Sequence, residues 1–436
     1  MSADAFRFIH ATNLRLDQPL TGAGSLSPDD RAIVEDATLT AFGRIVDACL
    51  EHDAEFLLLT GDCFEHQTGT LRGRLQMQRG LERLADHDVS VLIIPGSLDP
   101  PSSWRRGLTL PRNTTLFSSE DDEPVSIQRN GRVLASIAPV ATAASDESNW
   151  RAGGPALWRA EPDVFRIGLI GAGAAIRWNG SQPEACGGPG ASTAAATLAR
   201  LAIDQGVNYL ALGEGAERQT IDVRQGVAHD PGSPQGLNAN ESGAKGCSCV
   251  EVGPDGAIEI RFLPTAPVRW MSLTVDMPNH VDRDQLAERM ALVVMEHEPA
   301  PGDDLWLIRW SLRDVAADWN PTLSNAAALA DLWDRAEREL ASVGGPRRKH
   351  SLNAGCRPGV ERRAIVREPG ARDLCEEFCE QINEDAEAAL DGVRLQINGP
   401  EYASGAWVRH VRQALQRTRP ADIARRSREL GDLWLR

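Results

Sequence analysis

Four polar segments follow apolar runs in the first half of the chain, and they hold residue types that α/β enzymes use for chemistry. They are HATNLRLD (10–17), LTGDCFEH (59–66), PGSLDP (95–100) and LGEGAERQ (212–219). Loops at the ends of several strands usually converge on one crevice, which is where α/β enzymes build their active sites. The third segment, however, offers only Ser97 and Asp99, with the apolar Leu98 between them. The pattern predicts an active-site framework that carries few chemical groups.

The elements that must position these segments follow from the periodicity. Apolar runs predict strands over 6–14, 54–62 and 89–96, and helical spacing predicts helices over 29–53 and 71–88. Further strands are predicted at 132–139, 165–171 and 207–212. This alternation is typical of an α/β domain with buried sheets.

The pattern changes near residue 270, and the chain is therefore divided into four predicted parts. Residues 1–270 form the first α/β domain, and 271–345 form a small α/β module. A basic Gly/Pro linker over 346–370 leads to a helical segment over 371–436, whose first part (371–391) is acidic and whose last part (402–436) is rich in arginine. The arginine-rich part could contact DNA phosphates, dock on the acidic part, or bind a partner protein.

Composition limits the class of protein. The formal net charge of −16 disfavours unassisted, sequence-independent binding to nucleic acid. The eight cysteines are scattered without the spacing of a zinc site or a disulfide framework, so they are predicted to be structural thiols. Neither a signal sequence nor an apolar stretch long enough to span a membrane is found, which predicts a cytoplasmic location without membrane contact.

Two longer segments carry a resemblance to a known family. YLALGEGAERQ (209–219) is similar to the pattern Y-x-A-L-G-H-x-H-R. AHDPGSPQG (228–236) and ESGAKGCSCVEV (241–252) resemble Y-P-G-S-P-Q-G and G-x-K-G-x-x-x-V in the same order. The first 270 residues thus resemble calcineurin-like metallophosphoesterases of the SbcD type, which are DNA repair exonucleases that partner an SMC-like ATPase. The resemblance implies a sandwich of two mixed β-sheets flanked by helices, with residues 271–345 at the position of the capping domain.

The resemblance also implies a metal site that this chain has largely lost. The family uses two divalent metals, such as Mn²⁺, which activate water and hold the phosphodiester oxygens. Only the bridging aspartate of the G-D motif is retained, as Asp62. The other motifs are altered: D-x-H is Asn13 and Arg15, G-N-H-D is Gly96-Ser97-Leu98-Asp99, the histidine of the fourth motif aligns near Gly171, and G-H-x-H is Gly213-Glu214-Gly215-Ala216.

Arg15 is the most consequential of these changes, because a fixed positive charge repels a dication at short range. We therefore predict a homologue that has lost two-metal phosphodiesterase activity, needs no cofactor, and acts as a scaffold or regulatory subunit in DNA maintenance. Its partners would be an SMC-like ATPase, DNA, or a second copy of the chain. On this hypothesis Asp62 accepts backbone N–H bonds or pairs with Arg15, and His10 and His229 are structural.

Two alternatives stay open at this point. An altered site built from Asp62, Asn13 and Glu214, with Glu65 or His66, could still bind metal and cleave phosphodiesters. Alternatively, Arg15 could hold a small phosphorylated ligand in an orphan binding domain. A dinucleotide site at 171–176 is not favoured, since Ile176 takes the place of the third glycine.

Overall fold

The computed structural model describes residues 4–65, 70–104, 108–118, 122–140, 164–170, 206–213, 215, 217–223, 226–277, 281–315, 319–323 and 325–352. The strands are β1 (Phe6–Thr12), β2 (Phe56–Gly61), β3 (Ser90–Pro95), β4 (Thr114–Leu116), β5 (Val125–Arg129), β6 (Arg132–Pro139), β7 (Phe165–Leu169), β8 (Tyr209–Ala211), β9 (Gln219–Val223), β10 (Gly226–Asp230), β11 (Gly246–Val252), β12 (Ile258–Pro264), β13 (Val268–Asp276), β14 (Leu305–Arg313) and β15 (Arg347–Leu352). The helices are α1 (Pro28–Glu51), α2 (Leu71–Ala85), α3 (Pro101–Trp104), α4 (Arg283–Met295), α5 (Asn320–Leu323) and α6 (Ala326–Leu340).

Two six-stranded sheets form the sandwich. The first has the order β12-β11-β1-β2-β3-β4 and the second has the order β5-β6-β7-β8-β10-β9. Both are mixed, because parallel pairs such as β1 with β2 and β7 with β8 lie beside antiparallel pairs such as β1 with β11. This arrangement confirms the predicted fold class of two mixed sheets flanked by helices.

Alternating side chains of the central strands face two different cores. In β2, Leu57 and Leu59 pack with Phe42 of α1 and Leu81 of α2 on the outer face of the first sheet. Phe56 and Leu58 of the same strand instead pack against the second sheet, in the core between the two sheets. Period-two alternation therefore buries both faces of β2, whose six residues are all buried.

The two long helices begin where the sequence provides caps. The Ser27 hydroxyl accepts the N–H of Asp30 at 3.1 Å and Pro28 follows at the first helical position, where its missing N–H has no cost. The Thr70 hydroxyl accepts the N–H of Gly73 at 3.1 Å at the start of α2. These helices match the predicted ones to within three residues at each end.

A third sheet, of order β13-β14-β15, follows the sandwich in sequence. Its last strand, Arg347–Leu352, lies within residues 346–370, which the sequence predicts to be a basic linker, so the first residues of that segment form a strand. The strand pairs in parallel with β14. Its His350 is buried, with Nδ1 accepting from Trp310 Nε1 at 2.9 Å and Nε2 lying 2.7 Å from a Glu337 carboxylate oxygen. The predicted helical segment 371–436 lies outside the described residues.

The described chain divides into two compact units. The first comprises the described parts of 4–274, 288–311 and 336–352, and the second comprises those of 275–287 and 312–335. The domain boundaries at 270 and 345 stay predictions. No helix within the described ranges is long and apolar enough to cross a membrane.

Candidate functional site

The carboxyl ends of β1, β2 and β3 meet at one edge of the first sheet, since these strands pair in parallel. The structure brings together Asn13, Arg15, Asp62 and the loop 96–99 there, and the end of β8 arrives from the second sheet. The contact between the sheets is very close. A Cβ added to Gly61 would lie 2.2 Å from the carbonyl oxygen of Gly213. We call this group of loops the strand-end cluster; the candidates Glu214 and His66 fall outside the described residues.

The loop after β1 continues alongside the end of β2. The N–H of Asn13 donates to Thr60 O at 3.2 Å, and the N–H of Arg15 donates to Asp62 O at 3.1 Å. Both residues have positive φ angles, of 50° and 45°. Such left-handed conformations are unusual outside glycine, so the loop is strained where the family pattern would place two metal ligands.

The Asn13 side chain is buried and links two loops. Its Oδ1 accepts the N–H of Asp62 at 3.3 Å, while its Nδ2 donates to Gly215 O at 3.0 Å. A carboxylate has no hydrogen to donate to Gly215, so asparagine serves here as a connector that an aspartate could not replace.

Asp62 is turned toward the loop after β3. The residue is 8% exposed, and its Oδ1 accepts the N–H of Leu98 at 2.8 Å. Burial raises the pKa of Asp62, whereas the Leu98 N–H and the charge of Arg15 lower it and Glu65 raises it. Gly96 makes this approach feasible, because a Cβ there would lie 2.0 Å from the same carboxylate oxygen.

Asp99 holds the same loop in place from within. It is fully buried, its Oδ2 accepts the N–H of Cys63 at 3.0 Å, and its Oδ1 accepts the N–H of Gly96 at 2.7 Å. Burial raises the pKa of Asp99 well above its usual value. Asp99 therefore fastens the β2 and β3 loops together, while its neighbour Ser97 is exposed.

Arg15 forms an ion pair with Glu241, a contact that was not predicted from the sequence. Its guanidinium lies 3.4 Å from a carboxylate oxygen of Glu241, and the two side chains are 25% and 12% exposed. Glu241 also accepts the N–H of Leu237 at 3.3 Å. Glu241 is the first residue of the segment ESGAKGCSCVEV, which the family resemblance had singled out. Nothing in the sequence, however, indicated that Glu241 pairs with Arg15.

Asp230 was also missed, and it fixes the loop after β8. Its Oδ2 accepts the N–H of Gly215 at 2.7 Å and its Oδ1 accepts the N–H of Gly232 at 2.9 Å. The adjacent His229 lies in β10, fully buried, with Nδ1 2.8 Å from Thr220 Oγ1 and Nε2 2.8 Å from Ser248 Oγ.

The donors among the described residues do not fit a pair of divalent metals. Within the described residues, no group of three or more histidine, cysteine, aspartate or glutamate side chains is arranged to hold a metal ion. The oxygens of Asp62, Asp99 and Asn13 instead accept backbone N–H groups, and the guanidinium of Arg15 stands near Asp62.

Replacing Asn13 by aspartate is expected to lower the free energy of unfolding by about 1–3 kcal/mol. The variant loses the bond to Gly215 O and sets a second carboxylate beside Asp62. Urea unfolding at neutral pH measures the effect. Asn130→Asp is the matched control, since Asn130 also has a positive φ (53°) but is exposed, and it should change little. Equal losses in both variants would contradict the connector role.

No family model matches the chain. The protein named uncharacterized metallophosphoesterase YhaO of Bacillus subtilis (strain 168) is 28% identical over 271 residues. The match covers 62% of this chain and 63% of the relative, so the chain spans less than two thirds of that protein's length.

Solved structures give more distant likenesses. The Plasmodium protein GAP50, described as the anchor in the inner membrane complex, has a TM-score of 0.34 at 13% identity and covers 72% of this chain and 98% of its own. A dimetal phosphatase from Danio rerio has a TM-score of 0.31 at 11% identity and covers 60% and 99%. The chain is therefore similar in sequence to a protein that is named as a metallophosphoesterase.

Proposed function

We propose that this chain is an SbcD-like metallophosphoesterase homologue that has lost two-metal phosphodiesterase activity and serves as a scaffold or regulatory subunit in DNA maintenance. The observation that supports this most is the pairing of Arg15 with Glu241 beside an Asp62 carboxylate that accepts a backbone N–H. Groups that would face two dications are engaged in holding loops together. A cytoplasmic location and an SMC-like ATPase partner belong to the same proposal.

The phosphorylated-ligand alternative has less support. A phosphate at Arg15 would have to displace Glu241, and the Asp62 carboxylate whose pKa Arg15 lowers would repel it. DNA contact through the arginine-rich segment 402–436 and association with a second copy stay proposals, because 353–436 lie outside the described residues.

Metal analysis of protein purified without chelator tests the loss of activity. We expect manganese and zinc contents well below one ion per chain. We also expect no metal-dependent cleavage of bis(p-nitrophenyl) phosphate or of DNA ends in added Mn²⁺. Asp62→Ala is the control, and any trace rate should be the same in the variant as in the natural chain. Stoichiometric manganese together with a cleavage rate that Asp62→Ala abolishes would overturn the proposal.

A further inference from the structure

A cleft of about 520 Å³ lies at the edge of the sandwich, away from the strand-end cluster. It is lined by β9 and β12, the edge strands of the two sheets in the described order. Its lining includes Arg218, Thr220, Asp222, Val227, Ile258 and Ile260. The volume falls in the range of small-molecule sites in proteins.

Part of the lining of this edge cleft is apolar. Ile258 and Ile260 alternate along β12, are half-buried, and pack against the core between the sheets. Val227 of β10 is buried beside the same core. A ligand seated here would cover apolar surface that the two edge strands leave partly open, which favours its binding.

One end of the cleft carries the positive charge of Arg218. Arg218 lies with its guanidinium carbon 5.9 Å from the centre of the Phe262 ring, and it has no ion-pair partner among the residues that the structure describes. Its positive charge also acts on the protein interior. Burial is the largest cause that lowers the pKa of His229, and the charge of Arg218 is the second. Asp222 stands four residues further along the same face of β9, about 13 Å away at the usual rise of a strand.

We propose that the edge cleft binds an amphipathic organic anion. The carboxylate or phosphate monoester head would pair with Arg218, because a charge-assisted bond to a guanidinium is strong and directional. The apolar body would lie over Ile258 and Ile260. The negative charge of Asp222 at the opposite end disfavours the reversed orientation. Binding here does not depend on the proposed function of the strand-end cluster.

Calorimetry on the full chain tests this with probes that share one apolar body. These are 4-phenylbutanoate, 4-phenylbutyl phosphate and the neutral 4-phenylbutan-1-ol. We expect at least one of the two anions to bind at a single site about tenfold more tightly than the alcohol, in proportion to the added charge-assisted bond. Arg218→Gln should remove that difference and leave the binding of the alcohol unchanged.

The matched control is Arg261→Gln. Arg261 lies on β12 between Ile260 and Phe262, so it points to the opposite, exposed face of the strand. The Arg261→Gln variant should bind all three probes as the natural chain does. Circular dichroism verifies that the Arg218→Gln and Arg261→Gln variants fold. Ile260→Ser should weaken the binding of every probe. Absence of binding by both anions at millimolar concentration, or an equal loss in the two arginine variants, would overturn the proposal.

Discussion

Replacing Gly61 by alanine is expected to lower the free energy of unfolding by about 3–4 kcal/mol, the sum of a backbone and a steric cost. Gly61 has a φ of +77°, which costs an alanine about 1 kcal/mol or more. The new Cβ would also lie 2.2 Å from Gly213 O, 2.8 Å from Asn13 Oδ1 and 3.0 Å from Thr12 Oγ1.

The steric cost is large because the atoms around Gly61 cannot easily move. The Gly213 oxygen belongs to the backbone, and a Cβ on Gly213 would itself lie 2.7 Å from Thr60 Cβ. Thr60 in turn donates its hydroxyl to Leu212 O at 2.9 Å, which ties the ends of β2 and β8 together. The sheets would have to separate at the strand-end cluster to admit one methyl group.

Gly131→Ala provides the matched control for this prediction. Gly131 has the same φ of +77°, yet a Cβ there would meet nothing within 4 Å. This variant should lose only the backbone cost of about 1 kcal/mol in urea unfolding. If the two variants lost equal stability, the close approach of Gly61 and Gly213 would not be a constraint on the fold.

The alternation of strands and helices could be predicted from the sequence because it depends on local patterns. The apolar run of β2, the capping residues Ser27 and Thr70, and the amphipathic spacing of α2 all act within one element. The G-D pair likewise identified Gly61 and Asp62 as a special position. Local pattern could not show why residue 61 must be glycine. The reason is the close approach of the Gly213 carbonyl oxygen, more than a hundred residues away along the chain.

The polar contacts of the strand-end cluster were the part that sequence could not resolve. Arg15 meets Glu241, and Asn13 meets Gly215, across separations of more than two hundred residues. Such pairs become neighbours only once the sheets have formed. Asp99 shows a second limit: its position was identified from the family pattern, but its role in fastening two loops depends on which N–H groups point toward it.

Lowering the pH from about 7.5 to about 5 is expected to remove about 2 kcal/mol of stability for each histidine buried in the neutral form. Burial, and then Arg218, lower the pKa of His229 from 6.5 to about 3. Burial, and then His229, lower the pKa of His10 well below 6.5. Below about pH 6.5 these histidines therefore bind protons in the unfolded chain but not in the folded chain. This contribution to the stability of the folded chain is lost as the pH falls from about 6.5 toward the histidine pKa values of the folded chain.

The hydrogen bonds around His10 satisfy both nitrogens of a neutral imidazole. Thr60 uses its hydroxyl hydrogen on Leu212 O, so it can only accept from His10 Nε2, which lies 2.9 Å away. His10 Nδ1 must then accept from the Tyr209 hydroxyl at 2.8 Å. The two imidazoles are 6.0 Å apart between their ring centres, so charging both would add repulsion inside the core.

His229→Gln isolates one half of this effect. Urea unfolding at both pH values should show a loss smaller by about 2 kcal/mol in the variant, because glutamine does not titrate. His87→Gln, at an exposed position, should keep the full loss. Asp62 and Asp99 oppose the trend, since a raised carboxyl pKa in the folded chain favours folding as the pH falls, but they do so equally in all three proteins. An identical loss in His229→Gln and the natural chain would mean that His229 is not held neutral between the sheets.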